Sequence, residues 1–530
     1  MKNQREMKQQ IEKTPVLILG GGITGLTAAL YLAQQGVDFI LIEKHKDTSI
    51  YPRARTIDIR TMELFRALGI GEDLREGGKA LAPAWGIIRG NNLMEALGNP
   101  VGKITPAQLM EAQKDMKSFA GKSPETVCRC TQDISEAILR KTAKKQDLNL
   151  RFYHQMLAFE QQENEVQILV ENRATGEQYR IIADYMIAAD GANSLVRKQL
   201  NIPVSGNGSW KDLLNIYFEA DLELLVKDRE FSQFLIDTPE ITGFLLTINN
   251  KDKWAFHLRF YPENGETTAD YPEEKLITIL RHILGIPDLK ISILKVMPWQ
   301  LTVIIASQMR INRTFLAGDA AHTMTPYAGK GANCGVQDVQ NLAWKLAAVL
   351  KHGAGDALLD TYAIERQRVG AYYAALSGEL ADENGLINSV LMLTKAKDLM
   401  GLPDYGYYSA AVKRETDLPF TYFIGEPGTR IPHLWLNESQ TLSSLDWIRG
   451  QFVLIANSSE DWQVECDQVE QQLNINIQLV TLDDENIVEK WKTITHTNGH
   501  EALLIRPDDF VAAKLTSGNL LDVILSVLSK

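Results

Sequence analysis

The sequence predicts an α/β and α+β chain: a doubly wound, Rossmann-like domain, an antiparallel-sheet domain inserted into it, and a C-terminal thioredoxin-like domain. Three observations carry this. A strand–turn–helix–strand unit opens at Pro15, alternating strands interrupt the α/β pattern between about 201 and 305, and the order βαβαββα appears beyond Pro427. A length of 530 residues fits about three domains.

Residues 1–14 are polar and read as a solvated leader without the apolar core of a secretory signal. Pro15-Val16-Leu17-Ile18-Leu19 is a short buried strand. Helical periodicity follows over 23–35, closed by Gly36, and 37–42 is a second strand ending at Glu43. Residues 15–200 and 306–400 form the first domain, with part of 80–125 assigned to the inserted layer of 201–305. Residues 401–425 read as a linker and 426–530 as the thioredoxin-like domain, in which Cys466 is alone and no CxxC follows the first strand. A structural or oligomerising role for that domain is the default and admits a homodimer.

A net charge of −12 argues against nucleic acid as partner, since that binding rests on clustered Lys and Arg. No apolar run reaches the 18 residues of a membrane span, and four cysteines are too few for a disulfide framework and lack zinc-ligand spacing. The expectation is a cytoplasmic, metal-free protein.

Gly20-x-Gly22-x-x-Gly25 lies between strand and helix, with Glu43 following 18 residues after Gly25. The first glycine permits the tight turn, the second lets backbone approach a pyrophosphate, and the third lets helix and strand pack closely. Gly20, Gly22, Ile23, Thr24 and Gly25 therefore bind a dinucleotide, and Glu43 accepts from its ribose hydroxyls.

Two further segments specify the dinucleotide. Asp190-Gly191 ends a buried strand and leads to Arg197, and Gly318-Asp319-Ala320-Ala321-His322 is followed by Pro326 and Gly329-Lys330-Gly331-Ala332-Asn333. With Arg53-Ala54, Arg60-Thr61-Met62-Glu63 and the Gln132-x-x-x-Glu136 pair, the chain resembles the class A flavoprotein aromatic hydroxylases, the family of para-hydroxybenzoate hydroxylase. Gly428-x-Arg430-x-Pro432-His433 and Arg506-Pro507-Asp508-x-Phe510-Val511-Ala512 resemble the tail of its three-domain members, which include phenol-hydroxylase-like and aromatic polyketide hydroxylases.

The resemblance implies an FAD-dependent monooxygenase that consumes NAD(P)H, NADPH preferred as a transient co-substrate, and hydroxylates a phenolic or polycyclic aromatic substrate with dioxygen through a flavin C4a-hydroperoxide. Lys44, Arg53, Gln132, Met156, Asp190, Gly318, Asp319, Pro326, Gly329, Gly331, Ala332 and Asn333 join the glycine turn as candidates for FAD. Pro326 lines the reaction site, Arg53 and Arg55 couple flavin position to NADPH, Arg197 serves either cofactor, and His257 is a candidate base. Trp85, Tyr217, Phe256 and Trp299 are candidates for substrate contact. A Baeyer–Villiger member of the same group, another flavin oxidoreductase of the same fold such as a dehydrogenase or reductase, and a non-catalytic flavin-binding protein are the competing readings; the Trp-x-Trp of flavin halogenases does not occur.

Overall fold

The computed structural model describes residues 11–49, 51–98, 119–414, 418–457, 462–498 and 500–530. Residues 1–10 of the expected leader, and 99–118 of the stretch assigned in part to the inserted layer, lie outside them.

Five parallel strands form the spine of the first domain, in the spatial order Thr314–Leu316, Gln178–Ala188, Ile11–Leu19, Phe39–Glu43 and Leu150–Phe152. Their apolar runs, Val16 to Leu19, Phe39 to Ile42 and Tyr185 to Ala188, are buried throughout, as strands covered on both faces require. The chain leaves Ile11–Leu19 toward one side of the sheet and returns on the other. The turn at Gly20 therefore lies at a topological switch point, where open α/β sheets bind ligands.

The leader is shorter than its polarity suggests. The first strand begins at Ile11, not Pro15, because residues 11–14 pair in register with Arg180–Ala183 of an overhanging neighbour. Backbone pairing, not side-chain burial, orders that end.

The inserted sheet has the order His322–Thr323, Ser292–Ala306, Val204–Glu219, Lys253–Arg259, Thr242–Thr247, Gln233–Asp237 and Ile87–Arg89. Its edge strand Ile87–Arg89 falls in the part of 80–125 expected in this layer, whereas the opposite edge, His322–Thr323, comes from the first domain's sequence. The pleat sorts its side chains. Trp254, Phe256 and Leu258 pack under the helix Glu273–Leu284, whereas Ala255, Phe244, Leu246 and Leu213 face Tyr327 and Ala328 of the first domain.

The C-terminal sheet runs Ile477–Thr481, Phe452–Ala456, Glu501–Ile505, Val511–Thr516, with the first pair parallel and the rest antiparallel, in the thioredoxin-like arrangement. The expected linker 401–425 is instead packed: Leu402, Tyr407 and Ala411 are buried, and Tyr407 stacks on Phe510. Its apolar residues close the seam between first and last domains, a tertiary role that composition does not signal.

Candidate functional site

Gly20 holds φ at +111°, and a Cβ there would meet the Ala189 carbonyl of the neighbouring strand. A Cβ at Gly25 would be driven into the Gly20 carbonyl oxygen, so only glycine lets the helix Ile23–Gln34 start this close to its strand. Two carboxylates serve the turn. Glu43 accepts the Gly21 N–H at 2.7 Å, and Glu136 accepts the Ile23 N–H at 3.1 Å, the Ser49 N–H at 2.9 Å and the Gln132 amide at 2.7 Å. Burial lifts the Glu136 carboxyl above the ordinary range against the pull of those donors and of Arg53. Gln132 is thus in place, and Glu136 at the helix N-terminus is a partner that the glycine spacing alone does not reveal.

The facing wall is the segment 318–333. Gly318 takes φ +59° against Thr24, and its N–H donates to buried Asp338 at 3.1 Å. Asp338 also binds His322 at 2.7 Å and Arg366 at 2.9 Å, and these two partners hold its carboxyl below the ordinary range against burial. Asn333 ties the wall to residues 56–58: its Oδ1 accepts the Asp58 N–H at 3.0 Å, and its Nδ2 donates to the Thr56 carbonyl at 3.1 Å and the Gly329 carbonyl at 2.6 Å. Lys330 pairs with Asp58 at 2.8 Å. Pro326 is exposed, and Gly329 turns with φ +61°.

Asp319 has no hydrogen-bond partner for its carboxylate among the described residues. It reaches solvent, yet protein surrounds it closely enough that burial raises its pKa, opposed by His322 and Arg53. A Cβ at Gly331 would lie 3.5 Å from its Oδ1. An unpaired, recessed carboxylate beside a glycine at a helix N-terminus fits a polyhydroxyl chain such as the ribityl of FAD, and the glycine turn fits its pyrophosphate. Asp319→Ala is expected to weaken FAD binding by about 1.5–3 kcal/mol, roughly 10- to 150-fold in Kd, without loss of apoprotein stability. Flavin fluorescence titration of the apoprotein measures it, and an unchanged Kd would refute the assignment.

Arg53 is exposed on this groove, and its charge reaches both Glu136 and Asp319. Other expected residues are placed differently. Asp190 accepts the Leu195 N–H at 2.8 Å and the Val196 N–H at 3.3 Å, capping the short helix Leu195–Gln199. Arg197 is buried and donates to the Ala320 and Ala192 carbonyls, both at 2.7 Å, stapling one motif to the other instead of facing a cofactor. The Met156 side chain is enclosed in the first domain's core, and Lys44 is exposed, with its carbonyl accepting from Arg173.

Above the segment 326–333 lies the inward face of the inserted sheet. His257 stacks on Phe244 at 4.4 Å, Phe244 meets Tyr327 edge-on at 5.9 Å, and Trp299 Nε1 donates to His257 Nδ1 at 3.0 Å. Tyr217 packs against Tyr51 and lines a pocket of about 300 Å³ with Thr131, Ile134 and Ile248. Trp85 is exposed, with the Arg129 guanidinium 5.3 Å from its ring. Phe256 is the correction: the pleat turns it to the opposite face, into the core under helix Glu273–Leu284. Phe244, the cross-strand partner of His257 and one register position away, takes its place.

His257 is also a poor proton acceptor. Burial first, and then the Arg55 charge, bring its pKa down to about 3, and its Nδ1 already accepts from the indole. The unfolded chain takes up this proton near pH 6.5, so His257 lowers stability as pH falls, by about 2 kcal/mol between pH 7 and 5. His257→Phe, which keeps the stack on Phe244, is expected to remove that share of the acid dependence in denaturant titrations at the two pH values. An unchanged difference would contradict it.

The site is a dinucleotide groove at a topological switch point, roofed by an aromatic-lined sheet. Residues 13–376 match the family of FAD binding domains and 425–525 the aromatic-ring hydroxylase C-terminal domain. The chain belongs to the FAD-dependent aromatic-ring hydroxylases and is an FAD-dependent monooxygenase. It is 33% identical to a putative polyketide hydroxylase of Streptomyces halstedii, over 98% of each chain. It is 36% identical to the tetracenomycin A2 monooxygenase-dioxygenase of Streptomyces glaucescens, over 94% of this chain and 93% of that one. Among solved structures it superposes on aklavinone-11 hydroxylase with FAD and aklavinone at a TM-score of 0.82, with 26% identity and 100% of each chain covered.

Proposed function

We propose that this chain hydroxylates a polycyclic phenolic compound of the aromatic polyketide type, with dioxygen as co-substrate and NADPH as the preferred reductant. The observation that carries the reading is the apposition of the Pro326–Asn333 wall, exposed at Pro326 and half-buried at Gly329, Gly331 and Ala332, to the aromatic inward face of the inserted sheet, where Phe244, His257 and Trp299 form one contiguous patch. The polyketide relatives and the structures holding FAD with an aromatic ligand support the substrate class.

FAD, when bound, supplies the electron transfer and oxygen activation. The protein's part is positional. Glu43, the 20–25 turn and Asp319 would hold the cofactor, and the positive end of the helix opening at Gly331 would favour negative charge on a group bound at the 329–333 backbone. The inserted sheet excludes water and presents the flat aromatic surface on which a ring system stacks. Arg53, exposed at the groove and close to both cofactor-side carboxyls, is the residue placed to sense NADPH. A cytoplasmic site of action, where NADPH is available, belongs to the same reading.

The test uses purified, FAD-loaded protein with tricyclic and tetracyclic phenols. NADPH oxidation accelerated by such a phenol, with one atom of isotopically labelled dioxygen in the product, is the expected result. NADPH oxidation indifferent to every phenol, or oxygen inserted beside a ketone instead of on the ring, would reject it.

A further inference from the structure

Four arginines in this fold are almost wholly buried between domains, Arg60, Arg366, Arg430 and Arg506, and each faces a carboxylate: Glu63, Asp338, Glu63 and Glu365 respectively. That is the rule for buried charge. Arg55 and Arg129 break it.

Arg55 and Arg129 are 8% and 9% exposed, and neither meets a carboxylate among the described residues. Their acceptors are all neutral. Arg55 donates to the Ser232 and Thr247 carbonyls, both at 3.0 Å, and more weakly to the Ser232 hydroxyl; Arg129 donates to that same hydroxyl at 2.9 Å and to Thr56 Oγ1 at 3.0 Å. The Arg129 Nε–H is buried without an acceptor among the described residues. The two guanidiniums thus converge on one serine, like charges together in a desolvated place. Burial depresses both, Arg55 well below its ordinary value with Arg129 adding to the effect, and Arg129 to about 10.

Their position is specific. Thr56, which Arg129 holds, is tied by its carbonyl to Asn333, and a Cβ at Gly329 would lie 3.9 Å from the Thr56 Cβ. The pair therefore sits where the cofactor-side wall meets the inserted sheet, with Trp85 open beside it.

Resting on the reading of this cleft as the substrate site, we propose that Arg55 and Arg129 form an anion subsite that grips an ionised oxygen of the aromatic substrate, a carboxylate or a phenolate, with the ring system lying toward Trp85. A bound anion supplies the missing counter-charge and the acceptor for the Arg129 Nε–H, and two guanidiniums favour the ionised form of a phenol over its neutral form.

The experiment compares matched probes on FAD-loaded protein at pH 8, following the perturbation of flavin absorbance: anthraquinone-2-carboxylate against its carboxamide, and 2-hydroxyanthraquinone against 2-methoxyanthraquinone. A preference of about tenfold or more for the anionic member of one pair is expected, and the pair that shows it identifies the oxygen. The preference falls toward unity in Arg55→Gln and Arg129→Gln, and Arg129→Lys, which restores charge without the planar fork, recovers part of it. Equal affinity within both pairs, no binding of any of the four, or a preference untouched in both glutamine variants overturns the subsite. FAD retention and phenol-stimulated NADPH oxidation are scored separately, so failure of the hydroxylase reading is distinguished from failure of the subsite. The wild-type ratios decide even where a variant does not fold.

Discussion

Gly25→Ala is expected to abolish stable FAD binding. The added methyl points at the Gly20 carbonyl oxygen, which is backbone and pinned by the turn's pairing to both neighbouring strands: the Gly20 N–H donates to the Ile42 carbonyl at 2.9 Å, and a Cβ at Gly20 itself would strike Ala189. No flexible side chain is available to yield. The helix must move off the strand, at a cost of about 3 kcal/mol, near the upper end for overpacking. Because its first N–H groups are the ones aimed at the pyrophosphate, that displacement alone amounts to about a 100-fold loss in affinity. Gly22→Ala makes the informative contrast. A Cβ there finds only the Glu136 carboxylate, at 3.4 Å, so the apoprotein should stay folded while FAD affinity falls, since that face is where the phosphates approach. Thermal release of flavin fluorescence and circular dichroism of the two apoproteins separate the cases. A Gly25→Ala protein that purifies yellow with the parent's release temperature would refute the account.

These glycines show why the cofactor domain was readable from sequence. A tight turn, a close crossing and an acid at the next strand's end are each imposed by local backbone geometry within a few residues, so residue type and spacing carry the constraint. Asp319 was legible for the same reason, although only the structure shows that its carboxylate stands without a protein partner. Glu136 carries its meaning across 113 residues of chain, to the Ile23 N–H. Nothing in the glycine spacing points to it.

The inserted sheet was less legible, and the cause is the period of two. Phe256 and His257 are neighbours in a strand whose every side chain is buried after Lys253, so hydropathy gives no preferred face. A one-residue error in phase sends a candidate to the wrong side, which is what separates Phe256 from the inward Phe244–His257 stack. Arg55 illustrates a different limit. Its loop position after Glu43 made it a candidate for coupling flavin position to NADPH, but the carbonyls that hold it belong to residues 232 and 247, brought near only by docking of the inserted domain. The linker over 401–425 fails likewise: Tyr407 reads as an ordinary loop aromatic until Phe510, a hundred residues on, stacks at 4.1 Å.

Glu365→Ala is expected to uncouple the C-terminal domain from the rest. This carboxylate is wholly buried and accepts five hydrogen bonds: from Arg506 Nη1 and Nη2 at 2.7 and 2.8 Å, Lys345 Nζ at 2.7 Å, Asn341 Nδ2 at 2.7 Å and Ser409 Oγ at 2.6 Å. Its donors come from the long helix Gly331–His352, the stretch 401–425 and the thioredoxin-like domain, so one side chain joins three parts of the chain. Removing it leaves Lys345 without the carboxylate it pairs with and Arg506 with Asp508 alone among the described residues, a loss of about 3–5 kcal/mol for a broken buried pair. Glu365→Gln keeps the shape but not the charge, and should lose less. Arg506 and Lys345 hold the Glu365 carboxyl well below its ordinary range against burial, so its contribution is complete above the unfolded value near 4.3 and disappears only as pH falls toward the lower folded value. Glu365 is therefore ionised at both pH 6 and pH 8, but burial brings Lys345 down to about 8 against the pull of Glu365, so the lysine's share of the pair fades as pH rises and the defect in Glu365→Ala should be smaller at pH 8 than at pH 6. Limited proteolysis across 401–425, together with denaturant melts at both pH values, provides the measure. A variant with parental resistance to cleavage and less than about 1 kcal/mol of destabilisation would show that the domains are held by the apolar seam of Trp344, Phe452 and Leu358 instead.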